Sequence, residues 1–185
     1  MKDLIYAIHA VESRRDFVEE TLKQIPNAIV YYDEFGDAMK SYLYICENII
    51  GDKPCVFLED DIILTDGFVE KVESVIEEHP DMLINFFSLS KKFLEPHYKK
   101  GSQFCMNQCV YFPKGFGTKV ANSYEDWVKW DKGKNPTACD FLVGYAWGLN
   151  NDYLVWQPSL VQHRECKSMI NSRRSTKRQS VTFVK

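Results

Sequence analysis

Cys55-Val56-Phe57-Leu58-Glu59-Asp60-Asp61-Ile62 sets four apolar residues directly against three acids. An unbroken apolar run of this kind reads as a strand buried on both faces, as in a parallel sheet covered by helices. Glu59, Asp60 and Asp61 then stand at its carboxyl end, the edge where ligands bind in open α/β sheets. Adjacent carboxylates raise one another's pKa, and a divalent cation with oxygen ligands removes that cost. The competing reading of the same residues is an acidic surface loop.

Working outward, the chain alternates strands with helices. Leu4–His9 reads as a first buried strand, followed by a helix over about 14–24 with Ser13 as its cap and Pro26 beyond its end. A second strand covers Ala28–Tyr32, a turn Asp33–Asp37, and a helix about 37–50, stopped by Gly51. After the acidic strand, Phe68, Val72, Val75 and Ile76 recur at helical spacing up to Pro80, and Met82–Phe87 reads as a fourth strand. The order predicts a mostly parallel sheet with right-handed crossovers and helices on both faces. Further on, a strand pair is expected in 103–112, helices over about 116–130 and 138–148, and one short strand through Val155–His163. The expected organisation is a single α/β domain over 1–163, with a nucleotide-binding half (about 1–90) and an acceptor half (about 91–163). A mobile basic tail, 164–185, would close over the nucleotide or bind the acceptor.

Composition narrows the class. With 45% hydrophobic and 26% charged residues, the chain is neither disordered, collagen-like nor a coiled coil. No apolar run approaches the roughly 20 residues of a membrane span, and the opening residues read as a strand, not a signal peptide. The expected location is the cytoplasm, with no membrane partner. Cysteines 46, 55, 105, 109, 139 and 166 form no C-x-x-C pair and are expected as free thiols. The net charge of −3 is divided unevenly: residues 164–185 carry +6 and residues 1–163 carry −9. A basic arm on an acidic body fits a phosphate-bearing partner or, equally, a solvated tail.

A second motif, Gln157-Pro158-Ser159-Leu160-Val161-Gln162-His163, ends an apolar stretch on a histidine roughly 100 residues after the acids. The pair of motifs, with Arg14 and Arg15 after the first strand and the Cys139-Asp140-Phe141 segment, resembles sugar-nucleotide-dependent glycosyltransferases of the GT-A (Rossmann-like) fold. The resemblance extends to the collagen-galactosyltransferase and lipopolysaccharide-modifying family, and to small phage enzymes that glycosylate hydroxylated DNA bases. It implies that Asp61 is the last acid of a DxD-like motif holding Mn²⁺ or Mg²⁺ on a nucleotide diphosphate, and that His163 completes the metal shell. Glu59 and Asp60 would hold the ribose or a metal-bound water. Asp140 matches the carboxylate with which inverting members deprotonate the acceptor, although a helix cap is an equal reading. His9, Arg14, Asp33 and Lys40 would serve the nucleotide. Relatives follow the histidine with a glycine and paired serines; here Arg164-Glu165-Cys166-Lys167-Ser168 stands there, so Arg164, Lys167 and Ser168 become the expected diphosphate contacts.

The expected donor is a UDP-sugar. Arg173, Arg174, Lys177 and Arg178 point to a phosphate-rich acceptor. A 5-hydroxymethyl pyrimidine in DNA (hydroxymethylcytosine, for example), flipped from the stack, is the favoured choice, in a phage-encoded enzyme of the host cytoplasm. A lipopolysaccharide or other saccharide is the runner-up. The rival classes are a metal-dependent phosphohydrolase and an inactive nucleotide- or DNA-binding module.

Overall fold

The computed structural model describes residues 3–166, 176 and 178–185. The first strand, β1 (Ile5–Ala10), lies between β2 (Ile29–Tyr32) and β3 (Cys55–Glu59), both parallel to it. Beyond β3 the sheet continues with β7 (Cys109–Phe112), β5 (Ile84–Asn85), β8 (Asp152–Val155) and β6 (His97–Lys100), in the order β2-β1-β3-β7-β5-β8-β6. Five of these strands run one way; β7 and β6 run the other. The sheet is thus mixed, mostly parallel, as the sequence predicts. A separate antiparallel pair joins β4 (Ile62–Leu64) to β9 (Val161–His163).

Alternation along the strands divides the core in two. On β3, Cys55 and Phe57 face one layer while Val56 and Leu58 face the other. The first layer is covered by α2 (Ala38–Tyr44), α4 (Phe116–Asn122), α5 (Tyr124–Asp131) and α6 (Cys139–Trp147). The second is covered by α1 (Arg15–Leu22) and α3 (Phe68–Glu78). On α3, Phe68, Val72, Val75 and Ile76 are buried, each contributing about 1.5–3 kcal/mol by leaving water. Helices therefore lie on both faces, and all six cysteines are free.

Several boundaries differ from the expectation. Ser13 does not cap: residues Glu12–Arg14 form a 3₁₀ turn and α1 starts at Arg15 without a side-chain cap. The second helix widens into a π-type turn over Ile45–Ile50 before Gly51, whose φ is +54°. Only Cys109–Phe112 of 103–112 is a strand; its pairing partners are β3 and β5, remote in sequence. The expected strand through Val155–His163 is two strands, β8 and β9, separated by a loop with a cis Gln157–Pro158 bond. The 116–130 helix breaks at Ser123 into α4 and α5. The tail is not a free arm over 178–185. Ser180 donates its N–H to Gln162 (2.8 Å) and its hydroxyl to Ser159 (2.8 Å), and Thr65 donates to the Val184 carbonyl (2.6 Å). No helix among the described residues is long and apolar enough to cross a membrane.

Candidate functional site

Two strand ends and one turn build the site. At the end of β1, His9 stands in register with Glu59 at the end of β3. The chain then leaves β1 so that the Val11 N–H reaches Asp60 Oδ2 at 2.9 Å, and the following 3₁₀ turn brings Arg14 onto the acids. Its Nη1 lies 2.6 Å from Asp60 Oδ1 and 3.0 Å from Asp61 Oδ2. Gln108, just before β7, donates to Glu59 Oε2 at 3.2 Å.

His163 arrives through the small sheet. Ile62, the residue after Asp61, pairs in register with His163, and the Arg164 N–H donates to the Asp61 carbonyl at 2.8 Å. His163 Nε2 consequently lies 3.3 Å from Asp61 Oδ2, with its side chain fully buried. Its Nδ1 is 2.5 Å from the Arg164 carbonyl. A carbonyl only accepts, so Nδ1 carries a proton and donates it there, leaving Nε2 to face Asp61. Arg178, delivered by the docked tail, also hydrogen-bonds His163 Nε2.

The electrostatics follow from three acids in a confined space. Burial, then the charges of Asp61 and Asp60, push the Glu59 carboxyl up to about 8. Burial raises Asp60 as well, against the pull of Val11 N–H and Arg14. Burial acts to raise Asp61 too, but His163, Arg14 and Arg178 outweigh it and hold that carboxyl below its ordinary value.

Beside them lies a cavity of about 700 Å³, which His163 itself does not line. His9, Arg14, Asp33, Lys40, Glu59, Asp60, Asp61 and Arg178 all line it. A neighbouring cavity of about 290 Å³ shares His9, Glu59 and Arg178 and holds Asp140. Asp140 lies in the first turn of α6 after the cap residue Ala138, and its Oδ1 accepts from the Phe141 N–H at 3.2 Å. Asp33 Oδ1 is engaged in its own turn by Phe35 N–H, Gly36 N–H and the Ser41 hydroxyl. Burial notwithstanding, these bonds keep its carboxyl low.

Arg164 departs from expectation. Its guanidinium pairs with Glu20 at 2.5 Å, stacks over Phe17 at 4.6 Å and bonds the Ile62 carbonyl, all away from the cavity. Arg178, expected at the acceptor, stands beside His163 and lines both cavities, including the one that holds Asp140. Lys167, Ser168, Arg173, Arg174 and Lys177 lie outside the described residues. The sequence reading missed Asp37, Tyr124, Pro136, Thr137 and Gln108, which line one or other cavity. Asp37 carried a local signal, since its Oδ1 caps α2 through Met39 and Lys40 N–H groups; the others carried none.

The donor set fits a divalent ion in part. Among the described residues no group of three or more His, Cys, Asp or Glu side chains forms a metal cage. Asp61 Oδ1, however, is buried and has no hydrogen-bond partner among the described residues, and the His163 ring is oriented by a carbonyl behind it, as metal-ligating histidines are. With the Arg178 guanidinium displaced from Nε2, Asp61 and His163 would hold Mn²⁺ or Mg²⁺ from one side, leaving its other positions to ligand oxygens and water.

No protein-family model matches the chain, and no curated protein matches it either. Among solved structures it is similar to A197 from STIV, known from a crystal structure, with a TM-score of 0.54 and 13% identity over 87% of this chain and 85% of that one. At that identity the likeness concerns the fold.

Proposed function

We propose that this protein is a metal-dependent glycosyltransferase that moves a sugar from a UDP-sugar to a hydroxyl, with a 5-hydroxymethyl pyrimidine in DNA as the favoured acceptor. What supports the reading above all is the meeting of Asp61 and His163 at the carboxyl edge of the sheet, beside a cavity of about 700 Å³. That volume suits a nucleotide-sized ligand. Bound there, a dication would stabilise the negative charge that develops on the leaving diphosphate.

The chain's own groups divide the remaining work. Arg14 and Val11 N–H orient Asp60 and Asp61. Arg178 and Lys40 add positive charge at the cavity wall. Asp140, in the adjoining cavity, takes the proton of the acceptor hydroxyl as its oxygen bonds to the anomeric carbon. The bond from that carbon to the diphosphate oxygen breaks, and UDP leaves with the electron pair.

A thermal-shift titration tests this. UDP with Mn²⁺ at ~100 times its dissociation constant adds about 2.7 kcal/mol, a rise in Tm of roughly 5–10 °C for a chain of this size. EDTA should remove the rise. Asp61→Ala should keep a cooperative melt, lose the metal-dependent part and lose transfer; an undiminished shift in that variant refutes the assignment.

A further inference from the structure

Residues 91–100, Lys-Lys-Phe-Leu-Glu-Pro-His-Tyr-Lys-Lys, carry four lysines against one acid. The chain's net charge of −3 is +3 here and +6 from residue 164 onward, which leaves −12 on the rest. The segment is therefore a positive island on an acidic body, with Lys100 paired to Asp152 at 3.0 Å. It is also open: Lys91 to Pro96 are consecutively exposed, and Phe93, Leu94 and Tyr98 are 41%, 58% and 56% exposed. Isolated exposed apolar residues are ordinary, but rings interleaved with lysines in one exposed run mark a contact surface.

Its position ties it to the site. The strand β6 is an edge of the sheet, and its first residue, His97, pairs with Val155 at the carboxyl end of β8. The segment thus begins on the same sheet edge as His9 and Glu59, four strand spacings from β3, or about 19 Å. The chain between is continuous with the Asp140 cavity. Met106, Asn107 and Gln108 line that cavity, and Asn85 pins Cys105 and Met106 through their carbonyls. Loss of solvent raises the Cys105 thiol first; the Lys99 ammonium pulls it down and the Asp140 carboxylate pushes it up. One sulfur thus feels both the basic strand and the candidate base.

Local order favours a flat ligand. Phe93 stacks on His97 with centroids 4.5 Å apart and planes 26° from parallel, and Lys92 lies over the Phe93 ring at 5.2 Å. A base stacks on that ring by taking the place of the Lys92 ammonium, which is then released to meet a phosphate. Lysines on an edge strand also discourage strand-to-strand aggregation; that role accounts for Lys99 and Lys100, and not for the rings or for Lys91 and Lys92 on the loop. Leu94 is the segment's sole aliphatic residue, too little to anchor in lipid.

We propose that residues 91–100 are a binding surface for single-stranded nucleic acid, with lysines on phosphates and Phe93 and Tyr98 under bases, leading the strand to the Asp140 cavity. The proposal rests on the transferase reading for the purpose of that delivery, and the binding itself is testable apart from it.

Full-length protein is titrated against a fluorescein-labelled oligothymidylate of about 12 nucleotides over a salt series, read by anisotropy. Lys91→Glu with Lys92→Glu should weaken binding about tenfold or more and flatten the log–log salt slope by about 1.4. Phe93→Ala with Tyr98→Ala should weaken it at least fivefold and leave the slope unchanged. Both double variants alter exposed side chains, and unchanged melting temperatures certify their folds. The proposal is overturned by wild-type affinity in both variants, by affinity that vanishes only with Arg173→Glu and Arg174→Glu in the tail, or by capture of phosphatidylserine vesicles without oligonucleotide binding. The UDP shift separates the two readings. Intact UDP binding without oligonucleotide binding removes this surface alone, whereas surface-dependent oligonucleotide binding without a UDP shift removes the transferase alone.

Discussion

His9 shows how far a single side chain reports on the site. Its ring lies between Tyr31 and Phe57, with centroids at 6.3 and 6.4 Å, and burial lowers its pKa against the opposing pull of Asp33. The folded protein therefore refuses a proton that the unfolded chain accepts. The contribution is present above the ordinary histidine value of about 6.5 and is lost as pH falls below it. Urea midpoints at about pH 7.5 and 5.5 should show wild type losing stability relative to His9→Asn on acidification. Glu59, common to both proteins, acts in the opposite direction and cancels in the comparison; a pH-independent difference would refute the neutral-histidine assignment. At this scale the sequence was most legible where chemistry and position coincide. Three acids after an apolar run announce a strand end at a site, whereas Gln108 and Thr137 have no such marker and join the cavities only through tertiary packing.

At the scale of elements, α6 is placed by a close backbone crossing. A Cβ on Gly144 would stand 2.3 Å from the Gly101 carbonyl oxygen, and one on Gly101 would stand 2.4 Å from that of Gly148. Neither neighbour is a flexible side-chain tip, so the helix must shift to accept a methyl group. Gly144→Ala is expected to cost about 1–3 kcal/mol in chemical denaturation. Because Asp140 rides on the same helix, transfer should fall more than stability alone explains; full activity with a lowered Tm would disconnect helix position from proton transfer. The elements foreseen correctly, β1 to β3 and α3, are those whose burial is written in consecutive or helically spaced apolar residues. The strand β6 was not, and β7 was foreseen only as part of a local pair over 103–112, because its true partners β3 and β5 lie far along the chain. The two-residue strand β5 is too short to print a pattern, and its neighbours Phe86 and Phe87, buried in the same core, extend the apparent run.

Across the whole molecule, the end of the chain is joined to the site. Gln157 and Thr182 hydrogen-bond side chain to side chain, and Ser159 bonds both Ser180 and Thr182. This seats the segment that carries Arg178 onto His163. Removing residues 179–185 forfeits several hydrogen bonds, among them the one that the Ser159 N–H gives to Thr182, a loss of about 2 kcal/mol and roughly 5 °C in Tm. It should also weaken UDP binding, since Arg178 loses its mooring; an unaltered Tm would mean that the docked tail contributes nothing. The basic composition of the tail was plain from sequence, but its destination was not, because hydroxyl side chains such as Ser180 and Thr182 carry no periodic signal.

The pairing of Ile62 with His163 also orders events in time. During synthesis the acidic turn emerges roughly 100 residues before the histidine that faces it. At about 5–20 residues per second that interval is about 5–20 s. Arg14, made earlier and bonded to both Asp60 and Asp61, is already available to offset part of their charge. The nascent chain thus carries one counterion for two carboxylates, and the histidine reaches a turn whose charge is already halved.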